Sequence, residues 1–375
     1  MLGLTPTDTT KLSRTLKLLV DDGARNVSEA SVGSSNLIFL TLKLLELESL
    51  IKKNSRDHTV LAIEEPEAHL HPHLQRTVYR HLFRQQNPHA GGQDGKDVPR
   101  SRTVIVTTHS PQIASVAPLK SLVLLRDQPG KGSTGRSSAS IGFTDDEHDD
   151  LARYLDVTRA EMLFSRGVIL VEGDAEKFLV PFFAGQMGID LDEYGITVCS
   201  VAGTNFQPYA KFLGGMGIPF VVITDWDEIS EESKPLGINR SLKLVGTIEF
   251  RRTGSVPVAL IKELRALDDW DEFGERVEAF GVFLSNQTLE IDLHQIETYR
   301  VPIYDTLREG GFGPERAARI EGWASGKEKF NEDQYLALIE SIGKGRFAQR
   351  LATRLGGLEL PGYIRRAIEF IVANV

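Results

Sequence analysis

Short apolar runs and amphipathic stretches alternate in the first third of the chain. Between residues 34 and 53 leucines recur every three or four positions, which predicts a helix, and residues 72–86 predict another. Three apolar runs have the length of buried strands: 60–63, 103–107 and 122–125. This alternation is typical of α/β folds with parallel strands.

A second alternation begins at residue 167. Strands are predicted in the runs GVILVEG, ITVCSVAG and PFVVITD, with helices between them over about 174–186 and 205–214. Because right-handed helical crossovers connect parallel strands, we expect a Rossmann-like parallel sheet. Residues 228–279 predict a mostly helical insertion, 281–285 a further strand, and the remainder to residue 375 is predicted to be helical.

The predicted elements divide the chain into three regions. Residues 127–150 are rich in glycine and serine and then acidic, which favours a linker. We therefore predict a first α/β domain with its linker over 1–150 and a second α/β domain over 151–300 that contains the insertion at about 228–279. A helical C-terminal region over 301–375 follows.

Composition excludes several classes of protein. A chain of 375 residues is long enough for two to three domains, and a single cysteine excludes a disulfide framework. No apolar run approaches the ~20 residues that span a bilayer, and the N-terminus lacks an apolar signal core. We expect a cytoplasmic protein with no membrane partner. The formal net charge of −9 argues mildly against nucleic acid, but basic segments such as 344–366 are candidates for DNA contact.

Three segments of the first 110 residues resemble parts of ABC-type ATPases. LAIEEPEAHLHP resembles the Walker B strand and its loop, which implies that Glu64 holds Mg²⁺ through water and that Glu65 polarises the attacking water. TVIVTTHSP resembles the switch-histidine region, which implies that His109 senses the γ-phosphate. SVGSS resembles a degenerate signature motif, in which Gly33 and Ser34 would face the nucleotide of a partner subunit.

The phosphate-cradling loop of such ATPases has no counterpart in this sequence. The pattern G-x-x-x-x-G-K-[ST] does not occur. In ABC-type ATPases that loop precedes the segments described above, so the sequence resembles the later portion of a longer protein. We expect ATP to bind only in the full-length protein.

Four carboxylates are predicted to converge in the second domain. Glu172 ends one apolar strand and Glu176 lies in the first turn of the helix after it, whereas Asp225 and Asp227 end a later strand. The carboxyl ends of parallel strands share one edge of the sheet, where open α/β folds bind ligands. Carboxylates gathered there repel one another unless cations neutralise them, and oxygen ligands suit Mg²⁺ or Mn²⁺.

An apolar strand ending in Glu-Gly, followed after one βα unit by a strand ending in Asp-x-Asp, resembles the Toprim fold of topoisomerases, primases and some nucleases. A Toprim segment directly after an ABC-type ATPase half resembles the OLD (overcoming lysogenisation defect) family, from about residue 33 to 351. The resemblance implies a partial ATPase lobe followed by a Toprim domain. It also implies metal-dependent nicking and cleavage of DNA, and a homodimer formed through the ATPase region.

The resemblance assigns roles to further residues. A two-ion mechanism is implied, in which one ion activates a water and the other stabilises the leaving 3′ oxygen. Glu172 would serve catalysis as well as metal binding. The segment TLEIDL supplies a further acidic ligand, for which we favour Glu290 over Asp292, because residues two apart on a helix do not share a face. GKGRFAQRLA resembles a C-terminal family motif, so Lys344 would neutralise charge on the phosphate.

Three other functions remain open from the sequence. The main alternative is an ATP-gated DNA-repair or chromosome-organising protein whose Toprim domain binds DNA without cutting it. A second alternative is the nucleotide-binding subunit of a transporter, but the Toprim extension argues against it because such a subunit would not need it. A primase- or topoisomerase-like enzyme of the tyrosine type would need a nucleophilic tyrosine, and none is marked by a motif.

The missing phosphate loop leads to a prediction about ATP. The pure chain should release no phosphate from ATP above background, because Glu65 and His109 have no phosphate cradle to act on. Steady-state phosphate release measures this. Sustained turnover that Glu65→Gln abolishes would contradict the prediction, since it would require a nucleotide site built without that loop.

Overall fold

The computed structural model describes residues 18–53, 58–86, 102–128, 130, 132–227, 235–357 and 359–375. The chain divides into two compact units, Met1–Ala117 and Pro118–Val375. None of the described helices is long and apolar enough to cross a membrane.

The first unit is built around two parallel strands. Its strands are β1 (Leu19–Val20), β2 (Arg25–Asn26), β3 (Thr59–Glu64) and β4 (Arg102–Thr107), and its helices are α1 (Val32–Lys52), α2 (Pro72–Gln86) and α3 (Pro111–Ala114), with a 3₁₀ turn at Val27–Glu29. β3 pairs with β4 in parallel, as the sequence predicted. A small core packs α2 against α3 and β4 around Tyr79, Leu82 and Ile113.

The second unit contains a four-stranded sheet in which every pair is parallel. Its strands are β7 (Gly167–Val171), β8 (Ile196–Ser200), β9 (Phe220–Thr224) and β10 (Val282–Leu284). Their order in the sheet is β10–β9–β7–β8. The predicted parallel sheet is confirmed, and all four strands point their carboxyl ends to one edge.

Helices make up most of the remainder of this unit. They are α4 (Asp145–Tyr154), α5 (Val157–Ala160), α6 (Asp174–Gln186), α7 (Gln207–Met216), α8 (Leu236–Thr253), α9 (Val258–Arg265), α10 (Trp270–Glu278), α11 (Leu289–Gln295), α12 (Glu297–Arg308), α13 (Pro314–Ala324), α14 (Glu332–Ile342), α15 (Lys344–Ala352) and α16 (Gly362–Val372), with 3₁₀ turns at Leu119–Ser121, Ser138–Ser140 and Glu161–Leu163.

Both faces of the sheet are covered. All five residues of β7 are buried, as expected for a central parallel strand. Alternate residues such as Ile169 and Val171 join a large apolar core with α6 and with helices α11 to α16. Val168 and Leu170 point to the opposite face and are also fully buried. The helix α16 packs directly on β7, β9 and β10.

Residues 127–150, which we expected to form a linker, contain regular structure. β5 (Val123–Gln128) and β6 (Gly132–Ser137) form an antiparallel hairpin. The acidic run forms the start of α4, because Thr144 and Glu147 make a capping box and acidic residues favour the positive end of a helix. Lys211 of α7 lies 2.5 Å from Glu147, which ties α4 to the rest of the unit.

The insertion approaches the end of β9 through a glycine. Gly237 lies in the first turn of α8, and a Cβ there would lie 2.6 Å from the Asp225 carbonyl oxygen and 2.8 Å from that of Trp226. The Gly237 amide donates to the same Trp226 oxygen at 3.0 Å. Only a residue without a side chain permits this approach, which fixes α8 beside the strand end.

The close approach predicts opposite effects for two identical substitutions on α8. Gly237→Ala should destabilise the protein by about 1–3 kcal/mol, since the new methyl group overlaps backbone oxygens that cannot move away freely. Gly246→Ala is the matched control: its nearest atom would be Ile261 Cδ1 at 3.8 Å, an ordinary contact. It should be neutral or stabilising by up to about 1 kcal/mol, because alanine favours helix.

Chemical denaturation of both variants measures these changes. Equal stability of Gly237→Ala and wild type would show that α8 is not held at the described distance from the strand end.

Candidate functional site

The structure brings two of the predicted ATPase-type residues together in the first unit. Glu64 ends β3, and Glu65 follows with a φ of 41°. The Glu65 amide donates to the Thr107 carbonyl at 2.9 Å, at the end of the neighbouring strand. His109 Nε2 lies 3.7 Å from Glu65 Oε1, with both side chains largely exposed. The Walker B-like and switch-like residues therefore share one strand edge, as expected.

Glu67 organises this edge and was missed by the sequence reasoning. Its carboxylate accepts hydrogen bonds from Thr108 Oγ1 at 2.8 Å and from the His109 amide at 2.6 Å. The structure therefore fixes the backbone of His109 through a residue of the loop after β3. The string EEPEAHLHP carries this glutamate, but nothing in its spacing distinguishes a loop-bracing role.

The signature-like residues lie at the start of α1. Ser31 caps the helix by accepting from the Ser34 amide at 3.2 Å, and Ser34 itself is exposed. Gly33 is buried, and a Cβ there would lie 2.1 Å from the His69 carbonyl oxygen. Glycine at this position is thus required by backbone packing. Whether Gly33 and Ser34 also face a nucleotide stays a prediction.

In the second unit, Glu172 lies at the centre of the strand edge. It follows β7, and its Oε1 accepts from Thr224 Oγ1 at 2.5 Å and from the Asp225 amide at 2.8 Å. Its own backbone carbonyl accepts from the Gly203 amide at 2.9 Å. The ends of β7 and β9 are therefore joined through one glutamate side chain.

Arg240 of α8 is bonded to this group of residues. Its guanidinium donates to Glu172 and to Asp227, and lies 2.5 Å from Thr224 Oγ1. Only 11% of the arginine side chain is exposed, against 17% for Glu172 and 32% for Asp227. Sequence reasoning missed Arg240, because no motif marks its helix and its position depends on the tertiary approach of α8.

Asp225 and Glu176 lack such a strong counter-charge. Partial burial, and then the nearby charges of Glu172, Glu176 and Glu290, raise the pKa of Asp225 to about 9. Ser285 Oγ, after β10, lies 3.2 Å from Asp225 Oδ1. Burial, and then the charges of Glu290 and Glu172, raise the pKa of Glu176 to about 7, although Glu176 accepts a hydrogen bond from the Gly173 amide at 3.1 Å. Burial and the neighbouring carboxylates together thus favour the protonated form most strongly at Asp225.

The two acidic residues of α11 point to different partners. Glu290 is buried, and Lys344 Nζ donates to its Oε2 at 3.4 Å. Its Oε1, 3.3 Å from the same ammonium, has no hydrogen bond. Asp292 instead accepts from the Asn286 and Gln287 amides at 2.9 and 3.2 Å. Glu290 therefore lies with the other carboxylates at the strand edge, whereas Asp292 braces the loop after β10.

Lys344, at the start of α15, reaches the carboxylates at the strand edge. Burial lowers its pKa, but the charges of Glu290, Asp225 and Glu176 outweigh burial and raise the pKa overall. The lysine therefore stays charged at neutral pH. Next to it, a Cβ on Gly345 would lie 2.9 Å from Asp174 Cβ, so this glycine lets α15 pack closely on α6.

The donor set fits a hard divalent cation by its chemistry. It consists of carboxylate oxygens, one of them the buried Glu290 Oε1 without a hydrogen bond, and it carries more negative charge than Arg240 and Lys344 neutralise. Within the described part of the chain, no three acidic, histidine or cysteine residues are placed to hold a metal ion as they stand.

Models of known protein families match residues in both units. Residues 163–227 match the family model described as "Overcoming lysogenization defect protein-like, TOPRIM domain". Residues 5–114 match the family model described as "AAA ATPase domain". The first match contains the strand ends of β7 and β9, and the second contains the Walker B-like and switch-like segments.

Several curated relatives have names that state an activity. The chain is 27% identical over 205 residues to the endonuclease GajA of Bacillus cereus (strain VD045), covering 52% of this chain and 32% of that protein. It is 30% identical over 174 residues to the OLD nuclease of Thermus scotoductus (strain ATCC 700910 / SA-01), covering 44% of this chain and 30% of that protein. The chain thus spans about a third of the length of these relatives.

A solved structure matches more than half of the chain. The C-terminal region of the Burkholderia pseudomallei OLD protein is 39% identical in sequence, with 56% of this chain and 97% of that region covered, at a TM-score of 0.46. The chain therefore combines an AAA ATPase segment with an OLD-like Toprim segment, in this order.

Proposed function

We propose that this chain is the DNA-cleaving portion of a metal-dependent nuclease. The observation that carries the proposal is the convergence of Glu172, Glu176, Asp225, Asp227 and Glu290 at the carboxyl edge of the Toprim sheet. Relatives named as nucleases support cutting over the alternative of a Toprim domain that only binds DNA. DNA is the proposed substrate, and Mg²⁺ or Mn²⁺ the proposed cofactor.

The carboxylates differ in what they would contribute. Glu172, Asp225 and Asp227 lie at two neighbouring strand ends, and Glu176 and Glu290 lie on helices packed beside them. We propose these five as metal ligands, with two ions supplying an activated water and positive charge at the leaving oxygen. Asp292, which the backbone amides already satisfy, is proposed as a loop brace instead.

Lys344 is proposed to bind the scissile phosphate. Its side chain is 46% exposed while still contacting Glu290, so its ammonium faces both the carboxylates and solvent. A cation in that position would neutralise negative charge that develops on the phosphate oxygens. For the full-length protein, we propose that Glu64, Glu65 and His109 act on ATP and that the ATPase region forms a homodimer.

A plasmid assay tests the metal-dependent cleavage. The pure chain should nick or linearise supercoiled DNA with Mg²⁺ or Mn²⁺ and without ATP, EDTA should abolish the activity, and Ca²⁺ should support it poorly. Asp225→Asn should lower the rate by about 100-fold or more, because a ligand is lost. Asp192→Asn is the control, since Asp192 is exposed on the loop that enters β8, at the opposite sheet edge. Cleavage by Asp225→Asn at the wild-type rate would remove this site from the reaction.

Asp225→Asn should lower the cleavage rate but raise the stability of the metal-free protein. The pKa of Asp225 is about 9 when folded, against ~3.9 when unfolded, so the folded state keeps a proton that the unfolded state loses. Stability from this group is therefore present at low pH and falls as pH rises from ~4 towards 9. In EDTA at pH 8, Asp225→Asn should melt above wild type, and the gap should shrink towards pH 4. A lower melting temperature at pH 8 would instead indicate that ionised Asp225 makes a stabilising contact.

Removing Lys344 should separate chemistry from metal binding. Lys344→Ala should slow single-turnover cleavage by about 10²–10³-fold, as expected for loss of a group that stabilises transition-state charge. The rise in melting temperature caused by Mg²⁺ should persist, because the carboxylates remain. Lys327→Ala, at an exposed lysine of the same unit, is the control. Unchanged cleavage by Lys344→Ala would restrict Lys344 to its ion pair with Glu290.

A further inference from the structure

Arg240 makes contacts that the proposed nuclease chemistry does not explain. It comes from the helical insertion rather than from a strand end, and its guanidinium donates to Glu172, Thr224 and Asp227 at once. A guanidinium can bond two carboxylates in this way because its N–H groups lie in one plane as a fixed fork. Only 11% of the Arg240 side chain is exposed at the strand edge. An arginine that only stabilised the surface of the insertion would be more exposed.

The distribution of charge shows what Arg240 does in the metal-free protein. Glu172 and Asp227 are paired with Arg240, and Glu290 is paired with Lys344. A buried carboxylate without a counter-charge costs several kcal/mol, so one guanidinium that serves two carboxylates lowers that cost. Arg240 thus takes the electrostatic place that a divalent cation would take between the ends of β7 and β9.

We propose that Arg240 is a built-in counter-ion that competes with divalent cations for Glu172 and Asp227. The inference rests on the proposed function, since it assumes that these carboxylates bind metal. The guanidinium bonds Glu172 Oε1 and Asp227 Oδ2, one oxygen of each carboxylate. A cation bound to the same two carboxylates would lie close to the guanidinium, and repulsion between the two positive groups would favour release of Glu172 and Asp227 by Arg240.

The surroundings of Arg240 allow this release without unfolding the insertion. The first turn of α8 is bonded to the strand-end loop by its backbone, through the Leu236 amide to Asp227 O and the Gly237 amide to Trp226 O, each at 3.0 Å. These bonds do not involve the arginine side chain. A change in the side-chain torsions of Arg240 is therefore sufficient to free both carboxylates while α8 stays in place. The freed guanidinium would remain beside the site, where an anionic phosphate can bind it.

Two other roles for Arg240 predict different signs. If Arg240 only held the ligands in a geometry suited to metal, its removal would weaken cation binding. If it were a structural ion pair outside the metal site, its removal would lower stability and leave cation binding unchanged. Competition alone predicts that removal of Arg240 weakens the metal-free protein and strengthens cation binding.

The test uses the whole chain with MgCl₂ or MnCl₂ alone, without DNA. Arg240→Gln should lower the melting temperature in EDTA by at least about 2 °C, because two carboxylates lose their partner. Its Kd for Mn²⁺, measured by calorimetry, should fall at least about fivefold, the lower range of ordinary coupling between two ligands. The metal-induced rise in melting temperature should be larger than in wild type.

Two further variants complete the design. Arg240→Lys keeps the positive charge but cannot bridge two carboxylates with a fork, so its Kd should lie between those of wild type and Arg240→Gln. It also preserves the test if the glutamine variant folds poorly. Arg252→Gln is the matched control on the same helix: Arg252 pairs with Glu249 and its side chain is 72% exposed. It should leave the Kd for Mn²⁺ unchanged.

The outcomes separate this inference from the proposed function. Mn²⁺ binding by wild type with equal or weaker binding by both Arg240 variants overturns the competition but leaves the metal site intact. No binding by wild type or by any variant overturns the metal site and the competition together. Tighter binding by both Arg240 variants but not by Arg252→Gln supports the inference.

Discussion

Like charges brought to one edge of a parallel sheet repel each other, and the second unit is organised around that repulsion. The fold places Glu172 and Asp225 at neighbouring strand ends, and the helices around them add Glu176 and Glu290. Two cations from outside the sheet partly offset this charge: Arg240 from the insertion and Lys344 from α15. Asp225 and Glu176 respond by holding their protons more tightly, since burial and then the neighbouring carboxylates raise the pKa of each.

The sheet and its edge could be predicted because they follow from local patterns. Apolar runs at the length of buried strands, separated by helices, favour parallel pairing, and parallel pairing places Glu172 and Asp225 at the same edge of the sheet. The difference between Glu290 and Asp292 could also be anticipated, since neighbouring side chains two apart on a helix diverge. Glu290 turns to Lys344, and Asp292 turns to the amides of its own loop.

The position of Arg240 and the regular structure within residues 127–150 could not be predicted, for different physical reasons. Arg240 reaches the site only because Gly237 lets α8 approach the end of β9, and such a long-range contact leaves no periodic trace in the sequence. The segment over 127–150 has the composition of a linker, yet β6 pairs through its backbone, which needs no particular side chains. There, pairing with β5 and a capping box outweigh composition.

The helix α16 covers β7, β9 and β10, although it comes about two hundred residues after β7. Its last turn reaches the start of that strand, since a Cβ on Gly167 would lie 3.1 Å from Ile371. During synthesis, the central strand therefore leaves the ribosome long before its covering helix does. At roughly 5–20 residues per second this interval lasts about 10 to 40 seconds. Throughout that interval this face of the sheet lacks the helix that covers it, and the carboxylates lack Lys344 for most of the time. The sheet with its covering helix is therefore complete only after α16 has been translated.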